Sequence, residues 1–275
     1  MDNTFNFNRF GKYFVYDLKK QWKNIGMLML IFSLFPVIYY MLYMFFGTLF
    51  EGGLSKMFSG TAVDGPNGGL RFGFFALMTT IFVMLYPSRA YGEITDKAKG
   101  AEWLMLPVSK FEKYVSMMLT TLVFIPVAFV TVYLLSDAFV CLFDKSCGAP
   151  MISFRINNLI NTTDITIPAN GLWILAAGIV EHASIFLLGG LMFKKWKVVG
   201  TVLVLFALGM VFSGLFSAFI TNADLEWWGN WFNDWTIRHA DNIDFWLNAF
   251  FNLWLLLIVA VCGTWSWFRI KRLQH

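Results

Sequence analysis

The ionisable residues best placed to do chemistry are Glu181 and His182, adjacent in the middle of the apolar run Gly171–Phe193. In apolar surroundings such a pair suits a polar patch on a transport path, a proton relay, or a haem or quinone ligand through His182. The absence of a second His in an apolar run disfavours haem. The structural alternative is a hydrogen bond to a hydroxyl on another apolar run, from Ser116, Thr120 or Thr121.

Patterns of independent catalysis are missing from the sequence. It contains no Gly-x-Ser-x-Gly elbow, no G-x-x-x-x-G-K-[ST] phosphate loop and no Cys/His spacing typical of zinc. Cys141 and Cys147 flank a short segment, either as a disulfide or as two free thiols, and Cys262 is expected in the core. We therefore expect no catalytic residue, cofactor or metal in this chain, and any nucleotide energy must come from another polypeptide.

A charged segment with helix-forming composition separates two apolar runs at positions 88–106. Pro107 ends it, and Ser109 with Glu112 forms a capping box, in which the hydroxyl accepts from the Glu112 N–H and the carboxylate reaches back. We expect one short helix over Arg89–Leu106, held rigidly against the helix that begins after Ser109. A rigid surface helix of this kind is suited to being moved by a partner protein.

The elements that must position these residues are apolar. The chain of 275 residues is 58% hydrophobic and only 14% charged, far from the composition of soluble globular proteins. About 20 apolar residues cross a bilayer as a helix. Six runs qualify, the second extending back through Gly68: Gly26–Phe46, Phe72–Pro87, Tyr114–Ser136, Gly171–Phe193, Val198–Ile220 and Phe245–Phe268. The sequence predicts an all-α, six-span membrane protein forming a single domain over residues 1–275.

Basic residues predict the orientation. Sixteen of the 21 Lys and Arg residues fall in the N-terminal segment, the 88–113 segment, the 194–197 turn and the C-terminal tail. The positive-inside rule places these four segments, and so both termini, in the cytoplasm. The net charge of +4 is accounted for by this bias, without a nucleic-acid partner.

Two flanking segments are predicted to lie at the membrane surface. Residues 1–23 mix aromatic and basic residues, and their apolar members share one helical side, which favours an interfacial amphipathic helix over a frayed tail: Phe7, Phe10, Phe14, Tyr16 and Leu18. Residues 221–245 are rich in Trp at helical spacing, which favours a short helix at the outer interface over an aromatic or sugar-binding surface.

Small residues recur at four-residue spacing in the fifth run, at Gly209, Ser213 and Ser217. Such residues allow helix backbones to approach closely. We expect this run to pack tightly on another helix, within the bundle or across a dimer.

The inner segment resembles that of ABC-2 type transporter permeases. The matching residues, in chain order, are Arg89, Glu93, Lys99, Gly100, Leu104, Leu106, Pro107, Val108, Ser109 and Glu112. Glu102, in the same segment, is a further candidate for coupling to a partner ATPase. The six-span layout with an amphipathic start and a long outer connection between the last two runs is similar as well. The resemblance covers almost the whole chain.

This resemblance implies a subunit of a bacterial inner-membrane exporter. It implies a homo- or heterodimer of permeases with cytoplasmic ATPase subunits, which carry the ATP and Mg²⁺, and a coupling helix at 89–106 seated on the ATPase. The other hypotheses are a membrane-embedded enzyme or redox anchor using Glu181 and His182, and a non-transporting membrane scaffold.

Overall fold

The computed structural model describes residues 5–50, 68–95, 97–143, 171–222, 225–238 and 243–272, and within them every regular element is helical. The helices are α1 (Phe7–Ser33), α2 (Phe35–Phe50), α3 (Gly68–Tyr91), a 3₁₀ turn (Gly92–Thr95), α4 (Lys97–Met105), α5 (Lys110–Leu119), a π turn (Thr120–Phe124), α6 (Ile125–Phe143), α7 (Gly171–Met192), α8 (Lys197–Asn222), α9 (Leu225–Arg238) and α10 (Ile243–Arg272). The all-α prediction is confirmed.

Five helical stretches are long and apolar enough to cross a membrane by length and composition. They are Phe7–Phe46, Leu70–Thr95, Lys110–Phe143, Lys197–Phe219 and Asn248–Arg272. The shorter stretch Ala176–Met192 is apolar as well. These helices support a multi-pass membrane protein. Most of the described part of the predicted Trp-rich segment, residues 221–245, forms the helix α9, and its ends belong to α8 and α10.

The N-terminal segment is not a separate surface helix, contrary to the prediction for residues 1–23. Asn6 caps α1, accepting hydrogen bonds from the N–H groups of Asn8 and Arg9, and the helix then continues without a break to Ser33. Its buried residues recur mostly every fourth position and include polar ones: Tyr13, Asp17, Gln21, Ile25, Gly26, Met29 and Ser33. The predicted apolar side turns outward at Phe7, which is 82% exposed. A polar stripe therefore packs inward.

Two prolines shape the helices that contain them. Pro36 has no N–H to donate to Phe32, and α1 gives way to α2 just before it. Pro126 similarly cannot donate to Leu122, and the π turn lies just before it, with the Ile125 N–H donating to the Thr120 carbonyl. This shift leaves the Thr121 carbonyl to accept a 2.5 Å hydrogen bond from the Tyr86 hydroxyl.

The core is formed mainly by α1, α3, α5, α6 and α7, and α7 packs against α3, α8 and α10. Phe82 of α3 stacks on Phe129 of α6, with their centroids 4.2 Å apart. Helix α7 approaches its neighbours closely because it carries two consecutive glycines. A Cβ on Gly189 would lie 2.8 Å from the Thr201 Cβ, and one on Gly190 would lie 3.0 Å from the Ser88 Cα.

Candidate functional site at the basic end of the bundle

Contacts gather the basic segments at one end of the bundle, which we call the basic end. Arg9 of α1 bonds Glu112 of α5, and the Lys110 Nζ donates to the Lys271 carbonyl of α10 at 3.3 Å. On another side of this end, the Lys197 Nζ donates to the Gly92 carbonyl at 2.6 Å. Segments that are far apart in the sequence thus form one continuous structure.

Asp17 is the central buried group of the basic end, and sequence reasoning did not single it out. Its side chain comes from α1 and is only 3% exposed. Its Oδ2 accepts hydrogen bonds of 2.7 Å from the Tyr91 hydroxyl of α3 and 2.7 Å from the Ser116 hydroxyl of α5. Three helices therefore meet on one carboxylate.

The sequence signal for Asp17 is its spacing. It lies four residues after Tyr13 and four residues before Gln21, so the three side chains share one side of α1. All three are buried.

Glu112 forms a second junction, between α1 and α5. Its carboxylate accepts from the Arg9 Nε at 2.9 Å, from the Arg9 Nη2 at 2.8 Å and from the Asn6 N–H at 2.8 Å. The capping box with Ser109 is present as predicted. Glu112 is fully buried, and these hydrogen bonds compensate its carboxylate.

The predicted single helix over Arg89–Leu106 is three elements instead. Helix α3 continues through Pro87 to Tyr91, the 3₁₀ turn follows, and α4 begins at Lys97. Gly92 begins the 3₁₀ turn, and its carbonyl accepts from the Lys197 Nζ of α8. The composition favoured helix throughout, and this tertiary contact is not visible in the local sequence.

Helix α4 is anchored to the bundle at one side and exposed at the other. The Lys113 Nζ donates to the Trp103 carbonyl at 2.9 Å and to the Leu104 carbonyl at 3.2 Å. The Trp103 side chain is buried, whereas Glu102 is exposed and Met105 is 81% exposed. The anchor and the exposed edge together make α4 a rigid projection from the basic end.

The other predicted coupling residues lie on α4 and on the elements next to it in the chain. Arg89 and Pro107 are exposed, whereas Glu93, Leu104 and Ser109 are half-buried. Gly100 is buried, and the Lys99 side chain lies outside the described residues. Glu112 is buried and engaged within the chain, so it positions α1 rather than presenting a charge to a partner.

Glu181 and His182 are not joined to the predicted hydroxyls by any hydrogen bond that the structure shows. The Ser116 hydroxyl donates to Asp17, and His182 Nδ1 lies 2.7 Å from the Gly178 carbonyl of its own helix. His182 faces an open, mostly apolar groove between α7 and α8, which Gly209 and Ser213 also line. The structure therefore brings His182 together with two of the predicted packing residues.

Close packing at the residues proposed in α8 does not occur within the described part of the chain, and packing across a dimer stays a prediction. A Cβ on Gly209 would meet nothing within 4 Å, and Ser213 and Ser217 are exposed. A tight approach occurs at Gly189 and Gly190 instead, and their adjacency in the sequence was the overlooked signal. No described residue covers the small-residue side of α8 at Gly209.

The opposite end of the bundle contains a buried ion pair that sequence reasoning missed. Arg71 and Asp137 have side chains only 5% and 4% exposed, and the Arg71 Nη2 lies 2.5 Å from the Asp137 Oδ2. The same nitrogen lies 3.1 Å from the Cys141 Sγ. Cys141 is disulfide-bonded, and its predicted partner Cys147 lies outside the described residues. On α3, about 27 Å of helix separates Arg71 from Arg89, so this ion pair lies far from the basic end.

A network of hydrogen bonds connects the elements at the basic end. Hydrogen bonds link the anchored α4 to α5, and link α5 through Glu112 and Asp17 to α1 and α3. In the part of the chain that the structure describes, no group of three or more His, Cys, Asp or Glu residues is arranged to hold a metal ion. No family model, curated protein or solved structure matches this chain.

Proposed function

We propose that this chain is the membrane-spanning permease subunit of an ATP-binding cassette transporter, with α4 as its coupling element. The observation that carries the proposal is that α4 is both anchored and exposed. The Lys113 side chain of α5 donates to carbonyls of α4, and the buried Trp103 side chain fixes α4 to the bundle. A partner ATPase seated on Glu102 and Met105 would move α4 as a rigid body. The ATP and Mg²⁺ belong to that partner, which would be cytoplasmic.

The proposal uses the internal contacts as the path of that motion. Lys113 connects α4 to α5, and α5 connects to α1 through Glu112 and to both α1 and α3 through Ser116 and Asp17. Displacing α4 would therefore shift three helices at once. Helices that have two stable arrangements are the usual carriers of such coupling.

The finer architecture belongs to the same proposal. The apolar helix α7 serves as the sixth span beside the five longer ones, and both termini lie in the cytoplasm of a bacterial cell. Helix α8 contacts the bundle mainly through its first turns and leaves Gly209 and Ser213 uncovered. A second permease subunit would pack there, because small residues allow close helix approach in lipid.

Photo-crosslinking from position 102 in intact cells tests the partner. A photoreactive amino acid in place of Glu102 should capture a polypeptide that carries a phosphate loop. The control position is Asp234, an exposed residue of α9 in the segment predicted to lie at the outer side of the membrane. Capture of no such ATPase from position 102, or equal capture from both positions, contradicts the proposal.

Charge reversal tests the coupling itself. In a complex purified from native membranes, Glu102→Lys should lower transport-linked ATP hydrolysis on the order of tenfold, because a reversed charge at the interface would weaken the seating of the ATPase by about 1.4 kcal/mol. Glu93→Lys should act in the same direction. Asp234→Lys is the control and should leave hydrolysis unchanged; normal hydrolysis in both Glu102→Lys and Glu93→Lys would overturn the proposal.

A further inference from the structure

A cleft at the basic end lies apart from α4 and includes one predicted coupling residue, Arg89. It lies between the end of α3, the turn that follows α7 and the start of α8, and its volume is about 420 Å³. Arg89, Lys194 and Lys197 bring three cationic side chains to it, and its described lining residues include no carboxylate. Leu28, Leu85 and Val199 form an apolar wall beside them. One cleft thus presents a cationic part and an apolar part.

Two of these charges are available to a ligand. Arg89 and Lys194 are exposed and make no hydrogen bond or ion pair with any described residue. Lys197 is held in place because its Nζ donates to the Gly92 carbonyl at 2.6 Å. Two cations at one cleft repel each other less when an anion lies between them. The cleft therefore favours an anionic group such as a phosphate between Arg89 and Lys194.

Its position favours a ligand with an apolar part as well. Trp196 lines the cleft with 78% of its side chain exposed, and its backbone is held at a φ of 54°, a conformation that costs a bulky residue energy. Exposed Trp residues are typical of the membrane–water interface. The exposed apolar side of α8 starts directly beside it, at Val199 and Val202.

We propose that this cleft binds an anionic phospholipid of the inner leaflet, with its phosphate between Arg89 and Lys194 and an acyl chain along α8. Basic pockets between membrane helices on the cytoplasmic side bind such headgroups. The shared recognition chemistry is a phosphate; the apolar wall commits the site to a lipid rather than to free phosphate. The inference does not depend on an ATPase partner.

Lipid retention by the full-length protein tests the proposal. Detergent-purified protein is titrated with dioleoyl phosphatidylglycerol or dioleoyl phosphatidylcholine, and bound lipid is counted by native mass spectrometry. Phosphatidylglycerol should bind more tightly, and Arg89→Gln with Lys194→Gln should weaken it about 30-fold, at about fivefold for each charge removed. Both side chains are exposed, so an unchanged elution profile verifies folding.

Three controls distinguish a lipid site from general surface attraction and from a free-phosphate site. Arg269→Gln with Arg272→Gln removes the same charge from exposed positions of α10 outside the cleft and should leave affinity within about twofold of wild type. Equal loss in that control would mean general surface attraction and would overturn the site. Dihexanoyl phosphatidylglycerol should bind more weakly than the dioleoyl lipid. Inorganic phosphate that displaces the dioleoyl lipid at equal concentration would identify a free-phosphate site and overturn the lipid assignment.

Discussion

Each end of the helix bundle contains a buried carboxylate, and the two carboxylates have different partners. At the opposite end, Asp137 is paired with the cation of Arg71, and the Arg71 guanidinium also contacts a disulfide-bonded cysteine. At the basic end, Asp17 is held by the neutral hydroxyls of Tyr91 and Ser116. Separating the first pair strands two charges in apolar surroundings, whereas Asp17 can be neutralised by one proton.

This difference indicates which end of the bundle can rearrange more easily. The ion pair of the opposite end makes that end hard to open, while the hydroxyl-held carboxylate joins three helices without a strong electrostatic lock. Glu112 is intermediate, because its partner Arg9 is 33% exposed and water can replace the contact. A partner that moved α4 would therefore act on the end whose buried contacts are easier to break.

The largest expected effect is at the opposite end. Asp137→Ala leaves the Arg71 charge buried without its carboxylate and should lower the free energy of unfolding by about 3–5 kcal/mol. Thermal unfolding in detergent measures it. The double variant Arg71→Met with Asp137→Leu removes both charges and should recover most of the loss. A double variant as unstable as Asp137→Ala would show that the charge is not the reason.

A smaller loss is expected at the junction of α1 and α5. Glu112→Ala removes the contacts to Arg9 and Asn6 together with the capping box, and should cost about 2–3 kcal/mol. The cost is lower than at Asp137 because water can reach Arg9. Ser109→Ala removes only the cap and should cost about 1 kcal/mol. Equal losses in both variants, measured by denaturant unfolding, would mean that Arg9 contributes nothing.

The smallest effect is expected at Asp17. Asp17→Asn keeps an oxygen that can accept from Tyr91 and Ser116, so the free energy of unfolding should change by less than about 1 kcal/mol. Asp17→Ala is the contrast, since it leaves both hydroxyls without an acceptor and should cost more. A loss from Asp17→Asn as large as that from Asp137→Ala would remove the distinction between the two ends.

The sequence by itself determined the features that depend on local composition and spacing. Apolar runs of membrane length became helices because a chain in lipid must satisfy its backbone hydrogen bonds within each segment. The capping box at Ser109 and Glu112 formed as predicted because both partners lie within one turn.

Only the tertiary structure decided which polar groups meet. The buried stripe of α1 contains Asp17 because its partners Tyr91 and Ser116 come from distant segments, and hydropathy alone pointed to the aromatic side instead. The pairing of Arg71 with Asp137 joins residues 66 positions apart. Gly92, where α3 gives way to the 3₁₀ turn, is contacted by Lys197 from another helix. Such contacts are set by how helices pack in three dimensions, and local sequence carries no record of that packing.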